Sequence, residues 1–175
     1  GNTPCLAVEP TPGGWGAFDT SDGQDALINN GKGGFKDLPV EVYENKYPIM
    51  LKRYGIRTDT GGPGKFRGGN GLYREYHLEA PGYVYLWFER SKTPAWGLFG
   101  GQKAIGPDVV LNPGLKDERH VLKGNGLPLK AGSVVLSQTG GGGGFGKAWE
   151  RDVALVREDI LDGYVSVESA KRDYS

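Results

Sequence analysis

Gly141 to Lys147 reads G-G-G-G-F-G-K, a composition whose backbone amides could cradle phosphates while the lysine neutralises them. Magnesium chemistry at such a loop needs a Ser or Thr hydroxyl after the lysine, and Ala148 stands there. The next helix is expected only at Asp152, too late to set its positive end over a phosphate. A free-standing nucleotide-binding protein is therefore the weaker reading, and close backbone approach to a neighbouring segment the stronger. Arg67, set among glycines, has a planar fork suited to a carboxylate or phosphate, or to the carbonyls of its own loop. Arg90 follows Glu89 at the end of an aromatic run, so a buried ion pair competes with a substrate contact. Asp59 suits a turn cap better than a general base. Glu41 and Glu44 on a strand would point to opposite faces and make no carboxylate pair. His77, in an alternating segment, and His120, after a polar run, read as surface or hydrogen-bonded residues. Cys5 has no basic neighbour in sequence to activate it. Trp15, Trp87, Trp96 and Trp149 are expected in the core, with Trp15 and Trp149, beside glycine-rich loops, as alternative anchors for a larger partner.

The elements that must hold these residues are short. Glycine accounts for 31 of 175 residues, against about 7% in an average protein. It has no Gly-X-Y period, and 11% aromatics argue against disorder. Val40 to Tyr43, Ile49 to Tyr54, Leu72 to Leu78 and Tyr83 to Phe88 read as strands, with a hairpin across Ala80-Pro81-Gly82. Shorter strands are expected at Val109 to Leu111, His120 to Leu122 and Val134 to Thr139. Helical spacing enters only at the C-terminus. There Asp152 caps Val153, Val156, Ile160 and Leu161 up to Gly163, and Ser166 caps a second short helix. The pattern predicts a mainly β fold of antiparallel sheets with glycine-rich loops, closed by a short C-terminal helical hairpin. It is one domain, with residues 1–150 as the glycine-rich β part and residues 151–175 as its helical extension.

Lys+Arg and Asp+Glu are 21 each, so no one-sided field offers itself to nucleic acid. No stretch nears the 18 apolar residues of a membrane helix, so neither nucleic acid nor membrane is an expected partner. One cysteine and no leader-like opening point to the cytoplasm. Cys5 also stands where a myristoylation motif wants Ser or Thr.

Four segments in order carry a family resemblance. They are Pro39-Val40-Glu41-Val42-Tyr43-Glu44 with Tyr47-Pro48; Arg57 through Gly71, which includes D-T-G-G-P-G-K-F-R-G-G; Gly140 to Gly146; and Glu150-Arg151-Asp152 leading to Asp159, Gly163-Tyr164-Val165-Ser166 and Ala170. Together with the lead-in Gly13-Gly14-Trp15-Gly16 and Asp22-Gly23, they resemble the C-terminal part of the hydantoinase B/oxoprolinase family, with Thr60 where the family signature has Ser. The resemblance implies a heteromeric ATP-dependent enzyme. A hydantoinase A-like partner would phosphorylate a substrate oxygen, and the B component would complete hydrolysis of a cyclic amide or carboxylation of a ketone. It places ATP and magnesium on the partner and a divalent metal in an N-terminal half of B that precedes the matched part. No cofactor or metal is expected on this chain, which would carry the last third or so of B, as a split subunit or a fragment, inactive alone. The implied active-site wall comprises Asp59, Gly61, Gly62, Arg67, Gly68, Gly69, Arg90, Gly142 and Gly143, with no catalytic residue assigned. A non-catalytic structural or assembly subunit of such a complex is the alternative.

Overall fold

The computed structural model describes residues 4–28 and 36–175. Gly31, Gly33 and Gly34 of the N-terminal glycine-rich segment lie outside them. Among these residues seven strands and three short α-helices follow in the order α1 (Val40–Lys46), β1 (Ile49–Ile56), β2 (Leu72–Leu78), β3 (Gly82–Trp87), β4 (Asp108–Leu111), β5 (Arg119–His120), β6 (Lys123–Leu129), β7 (Val134–Gln138), α2 (Val153–Leu161) and α3 (Val167–Asp173), with a 3-10 turn at Ala148–Glu150 before α2. The fold is mostly β, as expected, and every strand pair is antiparallel.

Five strands form one sheet in the order β1-β2-β7-β4-β5, and β3 pairs with β6 in a second. Period-two alternation turns Val84 and Leu86 of β3 toward Val109, Leu111 and Val135 of the larger sheet, with Leu129 of β6 beside them. This apolar core between the sheets is small, and burial of its side chains drives the sheets together.

Two expectations give way here, and one strand escapes the sequence pattern. Val40 to Tyr43 is helical, because Pro39 at the N-cap fixes φ at −53°, Glu41 sits in the first turn and Lys46 in the last. The helix buries Tyr43, exposes Val42, and places Glu44 to accept a 2.8 Å bond from Leu51 N at the start of β1. Those local charges outweigh the β-branched valines that suggested a strand. No hairpin joins β2 to β3, since the Ala80-Pro81 turn carries the chain from the large sheet to the ribbon. Strand β6, K-G-N-G-L-P-L, hides its pattern behind two glycines and a proline, which its position in a two-stranded ribbon tolerates.

The C-terminal helices begin where their caps predict. The Asp152 side chain accepts from Ala154 N, the Ser166 hydroxyl accepts from Ser169 N, and Gly163 ends α2 at φ +77°. The apolar residues of α2 are not its buried ones: Val153 and Leu161 are exposed, and α2 turns Asp159 inward instead, while α3 buries Ser169 and Ala170. Among the described residues no helix is long and apolar enough to cross a membrane.

Candidate functional site

The other half of the molecule is built from backbone. Gly140 to Gly146 threads between five extended segments and bonds to each. Gly14 N donates to Gly140 O at 2.9 Å, Gly62 N to Gly142 O at 2.8 Å and Leu98 N to Gly144 O at 2.9 Å. In return Gly142 N donates to Gly69 O at 2.8 Å, Gly141 N to Ile105 O at 3.0 Å and Gly144 N to Gln102 O at 3.0 Å. Chains at such spacing leave no room for a Cβ. One placed on Gly142 would lie 1.8 Å from Trp15 O, on Gly143 1.8 Å from Trp96 O, and on Gly68 1.9 Å from Gly142 O. The amides that a phosphate loop would need are spent on carbonyls of this bundle. Gly141 to Lys147 thus fits close backbone approach and not a nucleotide cradle.

Buried charges pin the bundle's ends together. Arg151 holds Asp22 through two 2.7 Å contacts and reaches Asp159 Oδ2 at 2.8 Å. Arg67, 4% exposed, donates to Asp159 Oδ1 at 3.2 Å, Asp25 Oδ1 at 3.1 Å and Gly68 O at 2.9 Å, and its guanidinium lies over the Tyr164 ring. Burial opposes the ionised form of Asp22. The hydrogen bond and charge of Arg151 overcome that, with help from Arg67, and hold its carboxyl below the usual range. Burial likewise works against charge on Arg67, and its carboxylate partners more than compensate. Asn70 is fully buried, its Oδ1 accepting from Thr60 N and Gly61 N while its amide donates to Tyr164 O. Asp59, at φ +63°, accepts from Ser166 N at 2.7 Å and so caps the distant α3 turn rather than its own.

The structure therefore divides the candidate wall. Asp59, Gly61, Gly62, Arg67, Gly68 and Gly69 sit inside the bundle or its charge network, with Gly61 and Gly69 barred from a side chain by Gly68 O and Gln24 O at 1.9 Å. Arg90, Gly142 and Gly143 line an open cleft of about 730 Å³. Its walls include Pro10 to Gly16, Trp87, Trp96 and Ile105 to Pro107. Arg90 forms no buried pair with Glu89: it is exposed at φ +57° with its guanidinium 5.3 Å from the Trp96 ring, while Glu89 pairs with Lys123. The turn out of β3 lifts the two side chains apart, and the left-handed backbone is held by the surrounding fold. Among the described residues no group of three His, Cys, Asp or Glu is placed to hold a metal. The convergent acids Asp22, Asp25 and Asp159 already enclose two arginines where a cation would have to sit.

His77 pairs with Glu75, and exposed His120 rests on Asp108, whose hydrogen bond and charge raise the imidazole above its ordinary value. The tryptophans depart from core packing: Trp87, Trp96 and Trp149 are 85%, 64% and 67% exposed. Trp15 is half-buried and donates its indole N–H to Leu27 O. The partners of Arg67 escaped sequence reasoning because Asp25 and Asp159 lie 42 and 92 residues away. Their one signal was Asp159 itself, an acid among the apolar residues of α2.

Residues 1–148 match the family model for hydantoinase B/oxoprolinase. The chain is 31% identical over 145 residues to caprolactamase subunit beta of Pseudomonas jessenii, covering 77% of this chain and 24% of that subunit. The solved structure of the ATP-dependent caprolactamase from the same organism superposes with a TM-score of 0.70 at 25% identity, over 93% of this chain and 29% of the other. A 5-oxoprolinase of Arabidopsis thaliana is 38% identical over 109 residues, which is 61% of this chain and 8% of the oxoprolinase. The nucleotide-free acetone carboxylase structure shares the fold, with a TM-score of 0.71 at 20% identity over 94% of this chain and 26% of the other. This chain spans between 8% and 29% of the length of these relatives. Homologues of this kind are subunits of ATP-dependent enzymes. The glycine bundle, its threaded Gly140–Gly146 segment and the matched 148 residues together place the chain in the hydantoinase B/oxoprolinase family.

Proposed function

We propose that the chain is the C-terminal portion of a hydantoinase B-type component, working with the rest of that component and a hydantoinase A-like subunit in an ATP-dependent enzyme that opens a cyclic amide. The observation that carries this reading is the 31% identity to a caprolactamase subunit across most of the chain. The likeness to acetone carboxylase is one of fold, so ketone carboxylation is the lesser reading. ATP and magnesium belong on the A-like subunit, a divalent metal in the remainder of B, and the complex in the cytoplasm.

Within that complex the cleft forms one wall of the substrate site. Arg90 is its exposed cation, able to donate to a carbonyl oxygen or carboxylate that develops charge as a ring opens. Trp96 gives a flat apolar side against which a small ring can lie, and Gly142 and Gly143 give the cleft a floor of backbone. The test is amide-dependent ATP hydrolysis by the complex assembled with and without this chain. The reading expects ADP release on adding a lactam or hydantoin only when all components are present. Turnover by this chain alone, or full turnover without it, would contradict the reading. A purely structural subunit is the second reading, favoured by the enclosure of Arg67 within internal ion pairs. It expects Arg90→Ala to leave the turnover of the assembled complex unchanged.

A further inference from the structure

We infer that the outer face of the β3–β6 ribbon is where the remainder of the B-type component seats, an inference that rests on the reading of the chain as one portion of that component. Strand alternation sends Val84 and Leu86 into the core and leaves Tyr83, Tyr85 and Trp87 in a row on the opposite face, 70%, 54% and 85% exposed. Three adjacent aromatics facing water form the kind of patch that marks an interaction surface, and Tyr and Trp are the residues that concentrate binding energy at protein contacts. The ribbon is also under-supported: among the described residues β3 and β6 pair only with each other, and uncovered two-stranded ribbons are marginal and prone to edge pairing.

About three quarters of each relative's length lies outside the matched part, so a covering protein of the needed size is part of the same component. Trp87 lies on both the ribbon and the cleft, so a protein seated on the ribbon also closes the cleft from that side. Trp15 and Trp149 serve this role less well. The first spends its indole N–H internally, and the second carries the Lys147 ammonium over its ring.

Hydroxyl-radical footprinting of the isolated chain, and of the chain bound to the remaining three quarters of the component expressed as a separate polypeptide, tests this. In the complex Trp87 oxidation should fall by about 10-fold or more as the interface core excludes water, while Trp149 changes less than about twofold. A Tyr85→Ser, Trp87→Ser double variant should keep the wild-type melting temperature, since both side chains are exposed, and weaken association by about 100-fold or more. If the complex forms with Trp87 unprotected and the variant binds as well as wild type, the ribbon is not the seat, although the reading of the chain stands. If wild type forms no complex, that reading falls and the inference with it. Protection of Trp87 in a dimer of the isolated chain would make the ribbon a self-association face and overturn the proposal.

Discussion

The two halves of the molecule solve the packing problem in opposite ways. Between the sheets, Leu86, Val109, Leu111, Leu129 and Val135 exclude water with side chains, and a change of shape can be absorbed by neighbours. In the glycine bundle the packed surface is peptide backbone, satisfied by hydrogen bonds and pinned by Arg67 and Arg151. Backbone has no rotamers, so nothing there can move aside. The glycine excess is thus a rigid construction material, and intolerance of change should be far more local in the bundle than in the apolar core.

The sharpest break between the halves is Gly142→Ala. With Trp15 O 1.8 Å from the new Cβ, we expect a loss exceeding about 4 kcal/mol, read as an unfolded or aggregated product in circular dichroism. Arg151→Ala comes next. It leaves Asp22 and Asp159 short of a buried partner and should cost about 3–5 kcal/mol in urea unfolding. Leu111→Ala, the apolar counterpart, should cost about 2–5 kcal/mol with folding retained. If Gly142→Ala costs no more than Leu111→Ala, the contrast collapses.

Acid sharpens the comparison, because the Arg67 and Arg151 network of the bundle depends on carboxylates, whereas the apolar cluster between the sheets contains none. Asp22 titrates below its ordinary 3.8 in the folded chain. Its contribution is therefore present above about pH 4 and is lost as pH falls through the folded value, where the unfolded chain has already taken up its proton. Asp22→Asn should lower stability most at pH 5 and matter progressively less toward pH 2. A difference independent of pH would remove Asp22 from the account. The smallest effect belongs to Gly82→Ala, where a Cβ meets nothing within 4 Å; it should stay within about 0.5 kcal/mol of wild type by thermal unfolding.

What the sequence made legible follows the same division. The caps at Asp152 and Ser166 and the stop at Gly163 were readable because their chemistry acts within three residues. The glycine blocks were readable as close-approach segments, since nothing else explains runs of residues without side chains. Their partners were not: Gly142 meets Trp15 and Gly69, contacts that no local pattern encodes. Val42 misled because β-branched preference is weak beside a proline N-cap with charges at both helix ends. Trp87 looked like core, since an aromatic run does not say which alternate residue faces inward or that a second protein face is required. The wall residues separated for a similar reason, as Arg67 and Arg90 carry the same charge and only distant aspartates distinguish the enclosed one from the free one.

That distinction between the two arginines gives the most direct test. In the assembled complex, Arg90→Ala should leave the melting temperature unchanged and lower kcat/KM for a cyclic amide in ATP hydrolysis by about 10-fold, the loss of one charge-assisted hydrogen bond. Arg53→Ala, removing an exposed arginine that pairs with Glu75 on the large sheet, should leave both unchanged. An Arg90→Ala complex with wild-type KM and kcat would contradict the placement of the substrate wall in this cleft.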